Sequence, residues 1–135
     1  MPKKKKVNFI RGLGRRKTSI ARVRLFKGGN ESLVNGQLIG EYFPGPVMSK
    51  FWQGPFKETD TLGKCYVTVK VSGGGKESQL RAVIHGMARA LAATKANFRS
   101  PLKKAGLLTR DARSRERRKV GQGGRARKKK QSPKR

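Results

Sequence analysis

The chain has 135 residues, which is enough for one small domain with a modest hydrophobic core. It carries 35 Lys and Arg residues against 7 Asp and Glu residues, a formal net charge of +28 at pH 7. Its single cysteine excludes an internal disulfide. No stretch is apolar enough to predict a membrane anchor or a secretory signal, so we expect neither.

The positive charge is concentrated at the two ends of the chain. Residues 1–30 carry 11 basic and no acidic side chains, residues 31–98 carry 8 and 5, and residues 99–135 carry 16 and 2. Such self-repulsion opposes compaction, and a dense polyanion relieves it by pairing phosphates with Lys and Arg. Nucleic acid is favoured over anionic lipid or a merely soluble basic surface, because ordinary surfaces mix both signs. The lysine run at residues 3–6 is typical both of nuclear localisation signals and of RNA-binding arms.

The first predicted strand follows Lys17. Beyond residue 21 the side chains alternate, so that Val23 and Leu25 point to one side while Arg22 and Arg24 point to the other. This pattern predicts a strand with one basic face.

Turn residues divide the next segment. Residues 28–30 supply a turn, a short strand is predicted at 32–34, and the pair Asn35 and Gly36 ends it. We therefore expect a hairpin in this part of the chain.

Two helical segments are predicted next. Residues 38–43 suit a short helix, and a second helix lies between prolines that limit its length, with apolar residues at helical spacing at Val47, Met48, Phe51 and Trp52. We expect Phe51, Trp52, Tyr42 and Phe43 to pack in the core or at its rim rather than to stack on bases.

The clearest strand is KCYVTVKV, which begins at Lys64. Cys65 and three valines occupy one face, in a strict period of two with many β-branched residues. Because Cys65 belongs to the apolar set, we interpret it as a buried small hydrophobe and not as a nucleophile.

The longest helix is predicted from about Ser78 to Lys95. Its apolar stripe is expected to pack on the sheet and consists of Leu80, Val83, Ile84, Met87, Ala88, Leu91 and Ala92. On the other side, Arg81, His85 and Arg89 recur every four residues and are expected to form one exposed line.

A short final helix is predicted around Pro101–Ala105, with Pro101 in its first turn and Gly106 at its end. Beyond Thr109 no apolar periodicity continues. Because no apolar burial offsets about 1–2 kcal/mol of backbone entropy per residue, we expect the tail to stay disordered until it binds a partner.

The run Gly73, Gly74, Gly75 and Lys76 lies between a strand and a helix N-terminus. Free amides and the helix dipole at such a position favour a phosphate, but a plain tight turn fits equally well. The run lacks the Gly-Lys-Ser/Thr order of a P-loop and the spaced glycines of a dinucleotide fingerprint.

The sequence does not predict an enzyme. His85 is the only histidine and Cys65 the only cysteine, which is too few for a zinc site, and the acidic residues show no paired-carboxylate spacing. We expect no cofactor, no metal and no catalytic residue.

Arginines dominate the segment that follows Leu108, at Arg110, Arg113, Arg115, Arg117 and Arg118. Their forked guanidinium groups pair with phosphates better than lysine does. Asp111 and Glu116 are expected to form local ion pairs that fix where the tail leaves the domain.

Several motifs together resemble the universal small-subunit ribosomal protein nine family, in its bacterial or organellar form. They are GRRKTSIARVRL from Gly14, VNG and EYF, GGG with Gln79 before HGMARAL, LKKAGLLTRD, ERRK and the terminal KR. The resemblance covers nearly the whole chain after Gly14. It implies an α+β fold, with a mixed sheet of four or five strands packed by helices and a left-handed βαβ crossover.

The family implies three regions: a basic N-terminal arm at 1–13, a globular rRNA-binding domain at 14–108 and an extended basic tail at 109–135. It also implies that the protein is a structural, non-enzymatic part of the small-subunit head and that its tail approaches the anticodon stem-loop of the peptidyl-site tRNA. The expected partners are rRNA, this tRNA and neighbouring proteins of the head, on cytoplasmic or organellar ribosomes. A non-specific nucleic-acid-compacting or RNA-chaperone polycation remains the alternative, which charge alone does not exclude.

The expected contact residues follow from the motifs and the basic patterns together. The rRNA set is Arg11, Arg15, Arg16, Lys17, Arg22, Arg24, Gly73, Gly74, Gly75, Lys76, Arg81, His85, Arg89, Lys103, Lys104, Arg110, Arg113, Arg115, Arg117, Arg118, Lys119, Arg125, Arg127, Lys128, Lys129 and Lys130. Lys134 and Arg135 are expected to contact tRNA. The chain departs from the family pattern at Glu77, Ser78, Ile84, Gly123, Gly124 and Pro133.

Overall fold

Strands and helices are mixed along residues 9–114, the part of the chain that the computed structural model describes. The elements are β1 Ile10–Arg16, β2 Ser19–Lys27, β3 Leu33–Val34, β4 Gln37–Leu38, α1 Ile39–Tyr42, α2 Pro46–Glu58, β5 Cys65–Ser72, α3 Lys76–Thr94 and α4 Ala96–Lys104. The α+β class predicted from the sequence is confirmed.

The strands form one mixed sheet in the order β1-β2-β5-β3-β4. β2 lies between β1 and β5 and is antiparallel to both, while β3 runs parallel to β5 and antiparallel to β4. The parallel pair requires a crossover connection, which α1 and α2 supply between β3 and β5. The expected mixed sheet packed by helices is therefore present.

The hydrophobic core covers one face of this sheet. Val23 and Leu25 of β2 are buried with the valines of β5, while Arg22 and Arg24 are exposed, as the alternation predicts. α3 lies across β1 and β2 with Val83, Met87 and Leu91 fully buried, and α2 and α4 pack on α3. The predicted strand, its basic face and the predicted helix–sheet contact are confirmed.

β1 is an element that the sequence pattern did not predict. Glycine disfavours a strand, yet Gly12 and Gly14 lie inside this one because α3 rests directly on it. A Cβ atom at Gly14 would lie 1.7 Å from the carbonyl oxygen of Ala82, and one at Gly12 would lie 2.1 Å from that of Gly86. β1 begins at Ile10, within the range expected for the N-terminal arm.

The hairpin lies at the Asn35–Gly36 turn, where it joins β3 to β4. Both turn residues have positive φ angles, 51° and 82°, which a type I′ hairpin turn requires. β2 does not pair with β3 despite the glycines between them, because β5 occupies that side of β2.

Two helices are longer than the prolines predict. α2 continues through Pro55, which is buried next to Phe56, and the burial of both residues offsets the lost backbone hydrogen bond. α4 begins at Ala96, so Pro101 lies in its interior and not in the first turn as expected. Fully buried Leu102 holds this part of α4 on the core.

The aromatic residues of α1 and α2 lie mostly where packing was expected. Phe43 is fully buried, and Trp52 and Tyr42 are half-buried against the core. Phe51 is 56% exposed and is the exception. Cys65 is only half-buried, although it packs against the core as predicted.

Candidate nucleic-acid interface

The outward face of the sheet, opposite the core, is a continuous basic surface. Exposed basic side chains project there from β1, β2 and β5, and we call them the basic sheet face: Arg11, Arg15, Arg22, Arg24 and Lys70. None of the outward positions on these three strands is acidic. A groove of about 590 Å³ along this face is lined by all of these residues except Arg15.

Like charges stand directly opposite each other on this face. Arg11 is paired with Arg24 between β1 and β2, and Arg22 is paired with Lys70 between β2 and β5. Directly opposed residues of antiparallel strands have Cβ atoms about 4.5–5.5 Å apart, and like charges in that position destabilise the sheet. In the folded protein the two cations of each pair therefore repel one another. An anion bound in the groove attracts both of them.

The sequence analysis did not include Lys70 among the contact residues. Its alternation with Tyr66 and Thr68 on one face of β5 was visible in KCYVTVKV. The pairing of β2 with β5, which places Lys70 beside Arg22, could not be inferred from the sequence.

The predicted line on α3 is only partly exposed. Arg81 is exposed and forms an ion pair with Glu77 at 3.4 Å, so one of the departures from the family pattern partly neutralises it. Arg89 is exposed and donates from Nη1 to the carbonyl oxygen of Leu13 at 2.8 Å. His85 between them is half-buried, which corrects the expectation of a single exposed line.

The His85 side chain contacts the segment that follows α4. Its Nε2 lies 3.2 Å from the carbonyl oxygen of Leu108, and its buried Nδ1 has no hydrogen-bond partner among residues 9–114. Burial lowers the pKa of His85 from its ordinary value of 6.5, and the nearby charges of Arg89 and Arg110 lower it further, against the effect of the Leu108 hydrogen bond. The ring is therefore neutral at pH 7 and donates to Leu108.

The glycine run forms a turn packed against the end of β2. The carbonyl oxygen of Gly73 accepts hydrogen bonds from Ser19 Oγ at 2.8 Å and from Gln79 Nε2 at 3.0 Å. A Cβ atom at Gly73 would lie 2.4 Å from the carbonyl oxygen of Thr18, and one at Gly74 would lie 2.3 Å from Ser19 Oγ. Close packing and positive φ angles thus explain Gly73 and Gly74 without a phosphate. An RNA contact at this loop stays a prediction.

Lys76, the last residue of that run, contacts Tyr42. Its Nζ lies 3.3 Å from the centroid of the Tyr42 ring and donates to the Tyr42 carbonyl oxygen at 3.2 Å. The Tyr42 hydroxyl in turn donates to Gln79 at 2.6 Å. These bonds connect EYF with the residues around GGG, so part of the motif set holds the domain together.

The chain beyond α4 is fastened to the end of β1. Arg16 has a buried guanidinium, which donates to the carbonyl oxygen of Arg113 and lies 3.5 Å from the Asp111 carboxylate. Asp111 also accepts hydrogen bonds from the guanidinium of Arg113 at 2.7 and 3.0 Å. These hydrogen bonds hold the pKa of Asp111 well below its ordinary value of about 3.8, so the carboxylate is charged at neutral pH.

This cluster of Arg16, Asp111 and Arg113, the exit clamp, fixes where the C-terminal segment leaves the domain. The expected ion pairing of Asp111 is present, while Glu116 lies outside the described residues. Arg16 is 8% exposed and bound within the clamp, so it has a structural role there, and an rRNA contact at Arg16 stays a prediction. Arg113 keeps most of its side chain in solvent.

The other predicted contact residues surround the domain. Lys17 is exposed in the β1–β2 turn, Lys103 and Lys104 are exposed in the last turn of α4, and Arg110 is exposed beyond it. α4 lies on the core side of the sheet, so these lysines do not join the basic sheet face. Eleven predicted residues lie outside the described part: Arg115, Arg117, Arg118, Lys119, Arg125, Arg127, Lys128, Lys129, Lys130, Lys134 and Arg135.

A second cleft, of about 510 Å³, lies between α2, α3 and the C-terminal segment. Its apolar lining includes the exposed Phe51 and Val47, and its rim carries both Arg81 and Glu77. The mixed charge distinguishes this cleft from the basic sheet face.

Two further classes of site were sought within the described residues. None of the helices there combines the length and apolarity needed to cross a membrane. Residues 9–114 also contain no group of three or more His, Cys, Asp or Glu side chains that could hold a metal ion.

Sequence comparison with known proteins gives matches over most of the chain. A family model described as ribosomal protein S9/S16 matches residues 14–135. The chain is 48% identical over 117 residues to the small ribosomal subunit protein uS9 of Maridesulfovibrio salexigens, covering 87% of this chain and 90% of that protein. It is 47% identical over 116 residues to the protein of the same name from Solidesulfovibrio magneticus, covering 86% and 89%.

A small α+β domain with a strongly basic sheet face is typical of RNA-binding proteins. The chain belongs to the ribosomal protein S9/S16 family. The resemblance noted in the sequence is thereby confirmed.

Proposed function

We propose that this protein is a structural component of the small ribosomal subunit that binds rRNA in the subunit head through its basic sheet face. The observation that carries the proposal is the register of this face, which sets Arg11 against Arg24 and Arg22 against Lys70. A phosphate bound between two opposed cations removes their repulsion and gains two charge-assisted contacts. The protein performs no chemistry; its contribution to translation is electrostatic and geometric.

Membership of the family supports this partner, since the relatives named above are small-subunit proteins. Exposed basic residues on the other sides of the domain, among them Lys103, Lys104 and Arg110, extend the contact to more than one RNA segment. Neighbouring proteins of the head complete the surroundings, and the cytoplasmic ribosome is the proposed location.

The C-terminal tail is proposed to reach the anticodon stem-loop of the peptidyl-site tRNA. The exit clamp sets the starting point of the tail, and the 26 residues from Arg110 span up to about 85 Å when extended. A chain with this many cations delivers charge into crevices of folded RNA that a globular domain does not enter. Lys134 and Arg135 at its tip would contact the tRNA phosphates.

Removal of Lys134 and Arg135 tests the role of the tip. Subunit assembly should stay intact because the sheet face and the exit clamp are unchanged, while the retention of peptidyl-site tRNA on purified subunits should weaken. A matched control removes the charge of Lys128 and Lys129 by Lys→Gln substitution and keeps the tip. Unchanged tRNA affinity after loss of the tip would refute its role.

The second candidate is a polycation that compacts nucleic acid without a defined site, and the net charge of +28 favours it equally. Sedimentation of a lysate that contains the tagged full-length protein separates the two. Cofractionation with small subunits, reduced by Arg22→Gln with Lys70→Gln, supports the ribosomal function. Association with the nucleoid supports the alternative.

A further inference from the structure

Three aromatic rings form a cluster at one end of the basic sheet face. Phe26 of β2 stands directly opposite Tyr66 of β5, and the two rings stack with centroids 5.1 Å apart and planes 12° apart. Phe9, just before β1, packs on Phe26 at 5.7 Å with the planes at 49°. All three rings are half-buried.

These rings do not contribute to the hydrophobic core. The core covers the other face of the sheet, and none of the three rings is among the partly buried side chains packed against it. Each ring keeps part of its surface in solvent on the outward face, where a partner that stacks on the cluster would cover it.

Basic groups are interleaved with the rings. The guanidinium carbons of Arg11 and Arg24 lie 5.4 and 5.1 Å from the centroid of the Phe9 ring. The same two arginines line the groove that continues towards Lys70. One surface thus offers flat rings for stacking and, beside them, cations for phosphates.

We propose that Phe9, Phe26 and Tyr66, together with Arg11 and Arg24, form a nucleobase-stacking subsite that takes unpaired RNA. The proposal rests on the proposed function, in which the basic sheet face binds RNA, and it specifies the state of that RNA. In a duplex the bases are stacked on one another and are not available to side chains, whereas an unpaired base stacks on an aromatic ring or a guanidinium plane.

Charge selects a chain of phosphates as the occupant, and the proposed function identifies that chain as RNA. The outward positions of β1, β2 and β5 are basic, polar or apolar and include no acid, so the face complements a chain of phosphates. Each unpaired nucleotide presents one flat base and one phosphate, which is the combination that the rings and arginines match.

The first experiment compares two probes with the full-length protein: an oligouridylate of about 12 nucleotides and an RNA duplex of the same length. Tyr66→Leu removes a stacking ring and keeps every charge. We expect it to weaken binding of the single strand by at least about fivefold and to leave duplex binding within about twofold. Equal weakening of both probes, or no weakening of the single strand, would overturn the proposal.

Phe51→Leu is the matched control, because Phe51 is an exposed aromatic residue on α2, away from the sheet face. It should leave the ratio of the two affinities unchanged. If this control shifts the ratio as strongly as Tyr66→Leu does, selection does not depend on the cluster and the proposal fails.

Crosslinking of the unmodified protein keeps the test valid if Tyr66→Leu does not fold. A single strand that contains iodouridine is irradiated on the full-length protein, and the adduct is mapped by mass spectrometry. An adduct on Phe9, Phe26 or Tyr66 supports the subsite, and adducts confined to other positions overturn it.

A charge variant distinguishes failure of the stacking subsite from failure of the proposed function. Arg22→Gln with Lys70→Gln should weaken both probes. If it does so while Tyr66→Leu changes nothing, the sheet face binds RNA without base stacking and only the subsite is refuted. If the charge variant has no effect on either probe, the proposed rRNA interface fails as well.

Discussion

Replacement of Lys70 by glutamine should stabilise the isolated protein and weaken its RNA binding at the same time. Lys70 is exposed in β5 and directly opposes Arg22 in β2. Loss of one like-charge cross-strand pair should raise the free energy of unfolding by about 0.2–1 kcal/mol at low salt. Glutamine keeps most of the side-chain length, so packing on the outward face changes little.

RNA binding should respond in the opposite direction. Each lost phosphate contact makes the slope of log K against log salt shallower by about 0.7 for a single strand and about 0.9 for a duplex. A gain in stability together with a loss of RNA affinity is expected only if Lys70 contributes to binding a partner and not to the stability of the fold.

Urea unfolding supplies the first measurement. Trp52 is the only tryptophan and is half-buried against the core, so its fluorescence reports the transition. The gain in stability should shrink as salt rises, because the Debye length falls from about 30 Å at 0.01 M to about 3 Å at 1 M. Filter binding of a short RNA at several salt concentrations supplies the slope.

Lys57→Gln is the control, because it removes the same charge as Lys70→Gln at a different place. Lys57 lies in the last turn of α2, where a cation interacts favourably with the helix dipole, so its loss should lower the free energy of unfolding by a few tenths of a kcal/mol. The reasoning is refuted if Lys70→Gln also lowers the stability, or if it leaves the salt slope of RNA binding unchanged.

Two further predictions concern the packing of α3. Gly14→Ala places a Cβ atom 1.7 Å from a carbonyl oxygen of α3, and since that neighbour is backbone it should cost about 3 kcal/mol or more in urea unfolding. Gly40→Ala, with open space around its Cβ, is the control, and a loss of similar size there would contradict the argument. Because burial lowers the pKa of His85, the unfolded chain binds more protons below about pH 6.5, so stability should be full above that pH and decrease below it. Urea midpoints between about pH 7.5 and 5.5 measure this slope, which His85→Gln should flatten; an equal slope in the variant would assign it to other groups.

The elements that the sequence predicted well are those whose pattern is local. The alternation of Arg22 and Arg24 with valine and leucine defined β2 and its exposed side. The apolar stripe of α3 defined a helix that packs on a sheet. Side-chain period depends only on neighbours along the chain, so these features needed no tertiary information.

The features that the sequence did not reveal depended on a partner distant in sequence. β1 was missed because glycine has a low strand propensity. Its glycines are required by the close approach of α3, which the sequence pattern does not show. Arg16 resembles its exposed neighbour Arg15 in sequence, but a carboxylate 95 positions further on removes it from the surface. Pro55 was expected to limit α2 and Pro101 to lie in the first turn of α4, yet both prolines lie inside helices that burial extends.

Taken alone, the sequence determined the charge, the family, the core-facing periodicity and the class of partner, because each of these follows from which residues are present and how they alternate. Tertiary structure decided which charges are neighbours. Only the order β1-β2-β5 sets Arg22 beside Lys70 and brings the rings of residues 9, 26 and 66 together, since the hydrogen-bonded register of a sheet joins positions that are far apart in the chain.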